Sequence, residues 1–434
     1  MTSATANDRR DPVAKGNSEG TPLWGIAEWM CWYSNYDKPV EGPEAIDVCV
    51  ALHADAGVQH LVWNLGRSVV DYWSDLPNVT RMCELGDQVG AVSWAFVRQV
   101  MDRVCPLRRA MEQSARSGLS LWGRLGMNRH YGSQSCAGVT SRLALENPHL
   151  RERAKTGEPV PSRLCYALDE VQQERLDILL EAQRLGVSGL VLDFCRQMPM
   201  LQYHDALVDG YTEAGGADPR QIDAAEPEPY LDWFQYRADV LTGFMARLRQ
   251  AVRDQERALG RPCPIVARVP DSGRWLMLAY GLDTERWCRA DLVDGLMLSP
   301  FPIAREDLAL HTADHVATAH SSGKWCVGGI GSKGLIVSHV EENTGFYAPA
   351  PVHALAAAQL GAGVDGLSLY QSETMLRMAY LRDLWPVLGG PARAIPAASA
   401  TPGPGVEPAI GMDWHAHLEG RYGLRVREVG AGAL

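Results

Sequence analysis

No apolar run in this 434-residue chain approaches the roughly 18 residues that a membrane span needs. The first twenty residues lack an apolar h-region and are polar, so they read as a disordered leader rather than a secretion signal. The ten cysteines contain no CxxC pair, which removes the spacing of a structural zinc site. They fit a reducing cytoplasm, where buried thiols act as small hydrophobes. Positive charge is not in excess. The net charge of −11 and pI near 5.6 argue against a nucleic-acid or anionic-membrane partner. Phenylalanine is scarce, 6 residues against 13 tryptophans, and that imbalance has two readings. Each indole taken singly is a core residue, whereas the excess as a whole suits a cleft that stacks on sugar faces.

What is present is an ordinary globular composition, 46% hydrophobic and 21% charged. One phrase repeats: Ala56 to Trp63, Gly186 to Asp193, Val293 to Ser299 and Gly363 to Leu369 are variants of a Gly-Val-x-Gly-Leu-x-Leu strand. Eight strand-like runs can be placed, at 25–32, 60–64, 119–123, 189–193, 265–269, 295–299, 326–330 and 366–370. Between them, segments such as 43–56, 168–185, 230–259, 305–321 and 351–360 carry the three-and-four apolar spacing of amphipathic helices. Alternating strands and helices imply a parallel sheet, and eight such units close it into a (β/α)8 TIM barrel. The expected organisation is a leader at 1–20, the barrel at 21–388, a Pro/Gly/Ala linker at 389–411 and a short C-terminal extension at 412–434 packed on the barrel. Long insertions follow strands two, three and four, at 67–90, 128–167 and 197–229.

Asp is depleted in strand interiors, so an acid at the last position of a buried strand marks the rim where barrel enzymes work. Only one copy of the repeated phrase carries such an acid, Asp193, which makes it the first catalytic candidate. A rim carboxylate contributes little to a core, so Asp193→Asn is expected to fold.

The stretches Asn147 to Arg151, Leu164 to Leu179 and Leu192 to Arg196 together resemble bacterial glycoside-hydrolase-like proteins of the TIM-barrel glycosidase superfamily, whose fourth strand ends in Asp-x-x-Arg. Asp193 and Arg196 stand at those positions, and Arg124 to Asn128, Ala267 to Pro270, Gly281 to Trp287 and Asp365 to Leu367 continue the likeness. The resemblance covers roughly residues 119 to 390 and implies a TIM barrel acting on glycosides. The chain departs from it at Gln371, where Asn is expected, and after Arg196, where an aromatic run is missing.

Glycoside cleavage needs two carboxyls flanking the bond. Asp193 is the nucleophile or base, and Arg196 could hold it ionised, unless the two form only a rim salt bridge. The partner acid is open among Glu373, Asp271 and Glu28, with Asp271 and Glu373 ranked equally and first. Arg124, Asn128, His130 and Arg268 stand near strand C-termini as sugar contacts, together with Tyr370 and Gln371. A buried charge network is the competing role for Arg124 and Arg268. Trp32, Trp63 and Trp325 are placed in the sugar pocket. His204 and Asp205 with His130 match no metal-ligand spacing, so no metal and no cofactor are expected. Gly328 to Gly331 followed by Lys333 leaves a rival open, an isomerase, aldolase or lyase acting on a phosphosugar, since loops after strands seven and eight often hold phosphate. A carbohydrate-binding barrel without catalysis is the third reading. The expected partner is a carbohydrate, with no nucleic acid and no membrane, and a homo-oligomer is allowed.

Overall fold

The computed structural model describes residues 21–29, 42–85, 92–128, 139–195, 199–222, 227–299, 310–330 and 349–376. The leader, the linker and the C-terminal extension expected from the sequence lie outside them, as do Trp32, His130, Arg196 and Lys333.

Eight parallel strands close a barrel. In chain order the strands are β1 (Leu23–Ala27), β2 (His60–Gly66), β3 (Ser120–Gly126), β4 (Arg151–Arg153), β5 (Pro159–Leu164), β6 (Leu190–Asp193), β7 (Ile265–Pro270), β8 (Gly295–Ser299), β9 (Trp325–Ile330) and β10 (Gly366–Tyr370). The barrel runs β1-β2-β3-β6-β7-β8-β9-β10 and closes β10 on β1, while β4 and β5 form a separate antiparallel hairpin in the insertion after β3. Helices cover the outside, among them Glu44–Asp55, Val92–Met101, Asp169–Leu185, Pro227–Leu259, Thr312–Ser321 and Pro349–Gly361. All eight barrel strands fall within or overlap the expected runs. The first is shifted: it starts at Leu23, where Leu23 registers with Leu367 and Trp24 with His60, and it ends at Ala27. Glu28 therefore stands just past β1, at the same end of the barrel as Asp193.

The repeated Gly-Leu-x-Leu phrase has a packing cause. Trp24, Trp122 and Trp325 project inward near the starts of odd-numbered barrel strands and meet one another, with ring centroids 4.9 Å, 5.5 Å and 6.3 Å apart. Each indole lies against a glycine that opens a neighbouring strand. A Cβ on Gly189 would lie 2.2 Å from the Trp122 ring, one on Gly295 would lie 2.4 Å from Trp325, and one on Gly366 would press on Trp24. In the first copy His60 takes the glycine's place and stacks flat on Trp24 at 4.1 Å. Burial lowers the His60 pKa to about 4, so the ring is neutral and packs as an aromatic.

Trp325 thus belongs to the barrel floor, at the start of β9 and not at its sugar-facing end. Trp63 is displaced in another direction. Side chains alternate along a strand, and the inward positions of β2 are Val62 and Asn64, so Trp63 faces out. It is fully buried beneath the outer layer, parallel to Trp29 at 6.0 Å, with Trp29 edge-on to Phe96 of the helix Val92–Met101. Both expectations placed these indoles in the cleft, and both are corrected to core packing.

Candidate active site

Above the indole floor and a middle band of Ile26, Val62, Val191, Val266, Met297 and Val327, the barrel interior turns polar. The residues there come from the ends of seven strands: Glu28, Asn64, Arg124, Asp193, Arg268, Ser299 and Tyr370, all buried. A small opening in this layer is lined by Glu28, Arg67, Arg124, Gly126, Asn128, Asp193 and Tyr370.

Arg124 sits between two carboxylates. Its Nη2 lies 2.5 Å from Glu28 Oε1 and 3.2 Å from Asn64 Oδ1, and its Nε lies 3.5 Å from Asp193 Oδ2. Asp193 is held from two further sides. Arg268, its register partner on β7, donates from Nη1 at 2.9 Å, and the Cys195 amide donates at 3.0 Å. The other end of the Arg268 guanidinium donates to Ser299 Oγ at 2.7 Å. Burial by itself raises the Asp193 pKa. The charges of Arg268 and Arg124, with the Cys195 amide, outweigh it and hold the carboxyl at about 2. Asp193 is therefore an anion throughout the neutral range and cannot be the proton donor.

Glu28 collects a different set. Arg67 Nη2 lies 2.6 Å from Oε1, and the Tyr370 hydroxyl donates to the same oxygen at 2.9 Å. The Tyr370 ring also carries Arg268 at 4.5 Å and Arg124 at 5.7 Å from its centroid, so one aromatic ring supports two of the cations. Behind this layer Asn64 donates to Asp71, whose pKa burial raises to about 7 against the pull of Arg67. The rim is braced from outside by Arg175 of the helix Asp169–Leu185, which donates to the carbonyls of Arg67 and Gly126. Gly66, at φ 142°, makes the turn into this loop. A Cβ there would lie 2.2 Å from the Val69 carbonyl oxygen.

The structure thus brings Asp193, Arg124, Asn128, Tyr370 and Gln371 together and separates others that the sequence grouped with them. Asp271 faces the outer helices. Its Oδ1 accepts from the His311 amide at 2.9 Å and its Oδ2 from Thr312 Oγ1 at 2.6 Å, so it caps the helix Thr312–Ser321 instead of reaching the cavity. Glu373 is close but stands behind Glu28, accepting the Glu28 amide at 3.0 Å. Arg268 lies beneath Asp193 as part of a buried charge network. His204 caps the helix Asp205–Glu213, accepting from the Ala206 amide at Nδ1 and donating from Nε2 to the His149 carbonyl. Among the described residues no group of His, Cys, Asp and Glu is arranged to hold a metal. No described helix is long and apolar enough to cross a membrane. The sequence ranked Glu28 behind Asp271 and Glu373, and it passed over Arg67, Asn64, Asp71 and Ser299. The signal for Asn64 and Ser299 was their inward parity at strand ends.

No family model matches the chain, and no curated protein matches it significantly. The fold does match solved structures. The catalytic domain of a β-amylase from Paenibacillus polymyxa superposes with a TM-score of 0.53 at 10% identity, covering 82% of this chain and 94% of that one. An α-L-fucosidase isoenzyme 2 from Paenibacillus thiaminolyticus superposes with a TM-score of 0.50 at 11% identity, covering 84% of this chain and 48% of that one. The chain therefore spans about half of the fucosidase. The likeness is one of fold: this is the closed (β/α)8 barrel that these glycoside hydrolases also have.

Proposed function

We propose that the cavity binds a sugar unit of a small glycoside or oligosaccharide and that the chain hydrolyses its glycosidic bond with two carboxylates, Asp193 and Glu28. The observation that carries this reading is their convergence on Arg124 at the mouth. Sharing one guanidinium keeps the two carboxylates a single side chain apart, the scale of the roughly 5–9.5 Å at which paired carboxyls cleave glycosides. Asp193, held ionised, suits attack on or stabilisation of an oxocarbenium-like centre. Glu28 is then the second carboxylate of the pair, in the place for which Asp271 and Glu373 were considered. Arg124, Asn128 and Tyr370 supply donors to sugar hydroxyls.

One observation favours a second reading, a carbohydrate-binding barrel without turnover. Both carboxylates are engaged by arginines, which is also how a static site neutralises buried charge. A screen of activated aryl glycosides beside phosphorylated sugars separates the readings. Hydrolysis of an aryl glycoside that is lost in both Asp193→Asn and Glu28→Gln supports the proposal. Binding of sugars without turnover supports the second reading, and activity confined to phosphorylated sugars overturns both.

A further inference from the structure

Four consecutive residues, Tyr370, Gln371, Ser372 and Glu373, are all buried, and three of them reach Glu28. The Tyr370 hydroxyl donates to Glu28 Oε1 at 2.9 Å, and Gln371 Nε2 lies 3.5 Å from Glu28 Oε2. Glu373 Oε2 accepts the Glu28 backbone N–H at 3.0 Å. The carboxylate and the backbone of one residue are thus held by a single turn on the adjoining strand. Such a convergence needs an unusual backbone. Gln371 adopts φ 52° and ψ 46°, the left-handed region that strains a residue other than glycine.

The remaining residue of the turn is its anchor. Ser372 Oγ lies 2.7 Å from His53 Nε2, and His53 Nδ1 lies 2.6 Å from the Cys49 carbonyl. A carbonyl can only accept, so Nδ1 carries the proton and Nε2 accepts from the Ser372 hydroxyl. Burial lowers the His53 pKa to about 4, which keeps this arrangement through neutral pH. The imidazole lies against Gly25, where a Cβ would come within 2.5 Å of it. The helix Glu44–Asp55 therefore holds the turn from behind β1.

We propose that the turn Tyr370–Glu373 is a clamp that fixes the position of Glu28 in the cavity, with Gln371 and Glu373 acting as positioning residues. Glu373 meets the Glu28 main chain and does not line the cavity. Its role in turnover rests on the glycosidase reading, whereas the clamp itself does not. Among the described residues, the ionisable groups around Glu373 include Glu28 from the end of β1, Arg124 from β3, and Cys49 with its neighbour His53 from the helix Glu44–Asp55. Burial, reinforced by the Glu28 charge, raises the Glu373 pKa to about 8.

The Glu28 amide reports on the clamp without any substrate. In full-length protein labelled with 15N-glutamate, that resonance is assigned by its loss in Glu28→Asp and followed from pH 6 to pH 9.5. It should titrate with a midpoint near 8 in the wild type and be flat in Glu373→Gln, which keeps an oxygen to accept the N–H. A Glu28 resonance that Glu373→Gln leaves unmoved across this pH range, or a titration that persists in that variant, overturns the proposal. The kinetic arm uses the aryl glycoside found in the screen. Gln371→Gly tolerates the left-handed backbone and removes the side chain with its amide. It should lower kcat by about 10- to 100-fold, the effect of a misplacement near 1 Å, with KM within about twofold. Gln371→Asn should recover part of that loss. Unchanged kcat in Gln371→Gly also overturns the clamp. If no aryl glycoside is turned over, the glycosidase reading fails and the amide titration still decides the clamp.

Discussion

Tyr370 donates its hydroxyl to Glu28 across the seam where the last barrel strand closes on the first, while its ring lies against Arg268 beneath Asp193. One side chain thus touches the network of both carboxylates, by a hydrogen bond on one side and an aromatic face on the other. Tyr370→Phe separates the two contacts. It keeps the cation–ring packing and removes the bond to the carboxylate, which is worth about 1.5–3 kcal/mol for a charged acceptor. Urea denaturation should show a loss of that size. Tyr370→Leu, which removes the ring as well, should lose more.

The barrel floor makes a prediction independent of chemistry. Gly189→Ala places a methyl 2.2 Å from the Trp122 ring, and the indole is wedged between Trp24 and Trp325 with little freedom to retreat. Overpacking of this kind costs about 1–3 kcal/mol. Trp122→Phe makes room, so the double variant should be more stable than the sum of the two single losses allows. Additive losses in a thermal or urea denaturation cycle would mean that the glycine and the indole are not coupled.

The barrel was legible because its strands are buried on both faces and alternate ones open on glycine or a flat ring, a pattern set by the indole floor. The strands of the repeated phrase lie where the sequence places them for that reason. The site was legible in part. Asp193 ends its strand, so height and direction agree. Reading the first strand as far as Trp32 put Glu28 inside it, when the strand stops at Ala27 and leaves Glu28 at the mouth. Asp271 has the right height and the wrong direction, since a position one residue past a strand does not say which way the chain turns. Trp63 was misread although its parity with Asn64 pointed outward. Arg67 lies beyond β2, on a turn shaped by Gly66, and no strand periodicity reaches it.

Glu373 should give the protein an alkaline weakness. Its folded pKa of about 8 lies above its unfolded value, so the folded state binds the proton more tightly. The resulting stability is fully present below the unfolded pKa and is lost as pH rises through about 8. The slope approaches about 1.4 kcal/mol per pH unit between those limits. Glu373→Gln cannot ionise and should lack this slope. Denaturation midpoints compared at pH 5, 7 and 9 should therefore show the variant gaining on the wild type as pH rises. Parallel curves would mean that Glu373 titrates normally.

Asp193→Asn was expected to fold unchanged because a rim carboxylate contributes little to a core. The buried ion pairs with Arg268 and Arg124 change that expectation. Removing the anion leaves the Arg268 guanidinium in the barrel with Ser299 and the Tyr370 face but no countercharge, and breaking a buried pair on one side costs about 3–5 kcal/mol. Replacing both partners should cost less, so Asp193→Asn with Arg268→Met should be more stable than Asp193→Asn alone. Acid provides the same test without mutation. The folded pKa of Asp193 is depressed to about 2, so its contribution is complete above the unfolded value and disappears as pH falls through about 2. That acid-sensitive component should be absent from the double variant. Activity on a glycoside should fall at least about a hundredfold in both variants, since neither keeps the anion. Restored stability without restored activity would assign Asp193 to the chemistry, whereas full activity in Asp193→Asn would leave it only the counterion of Arg268.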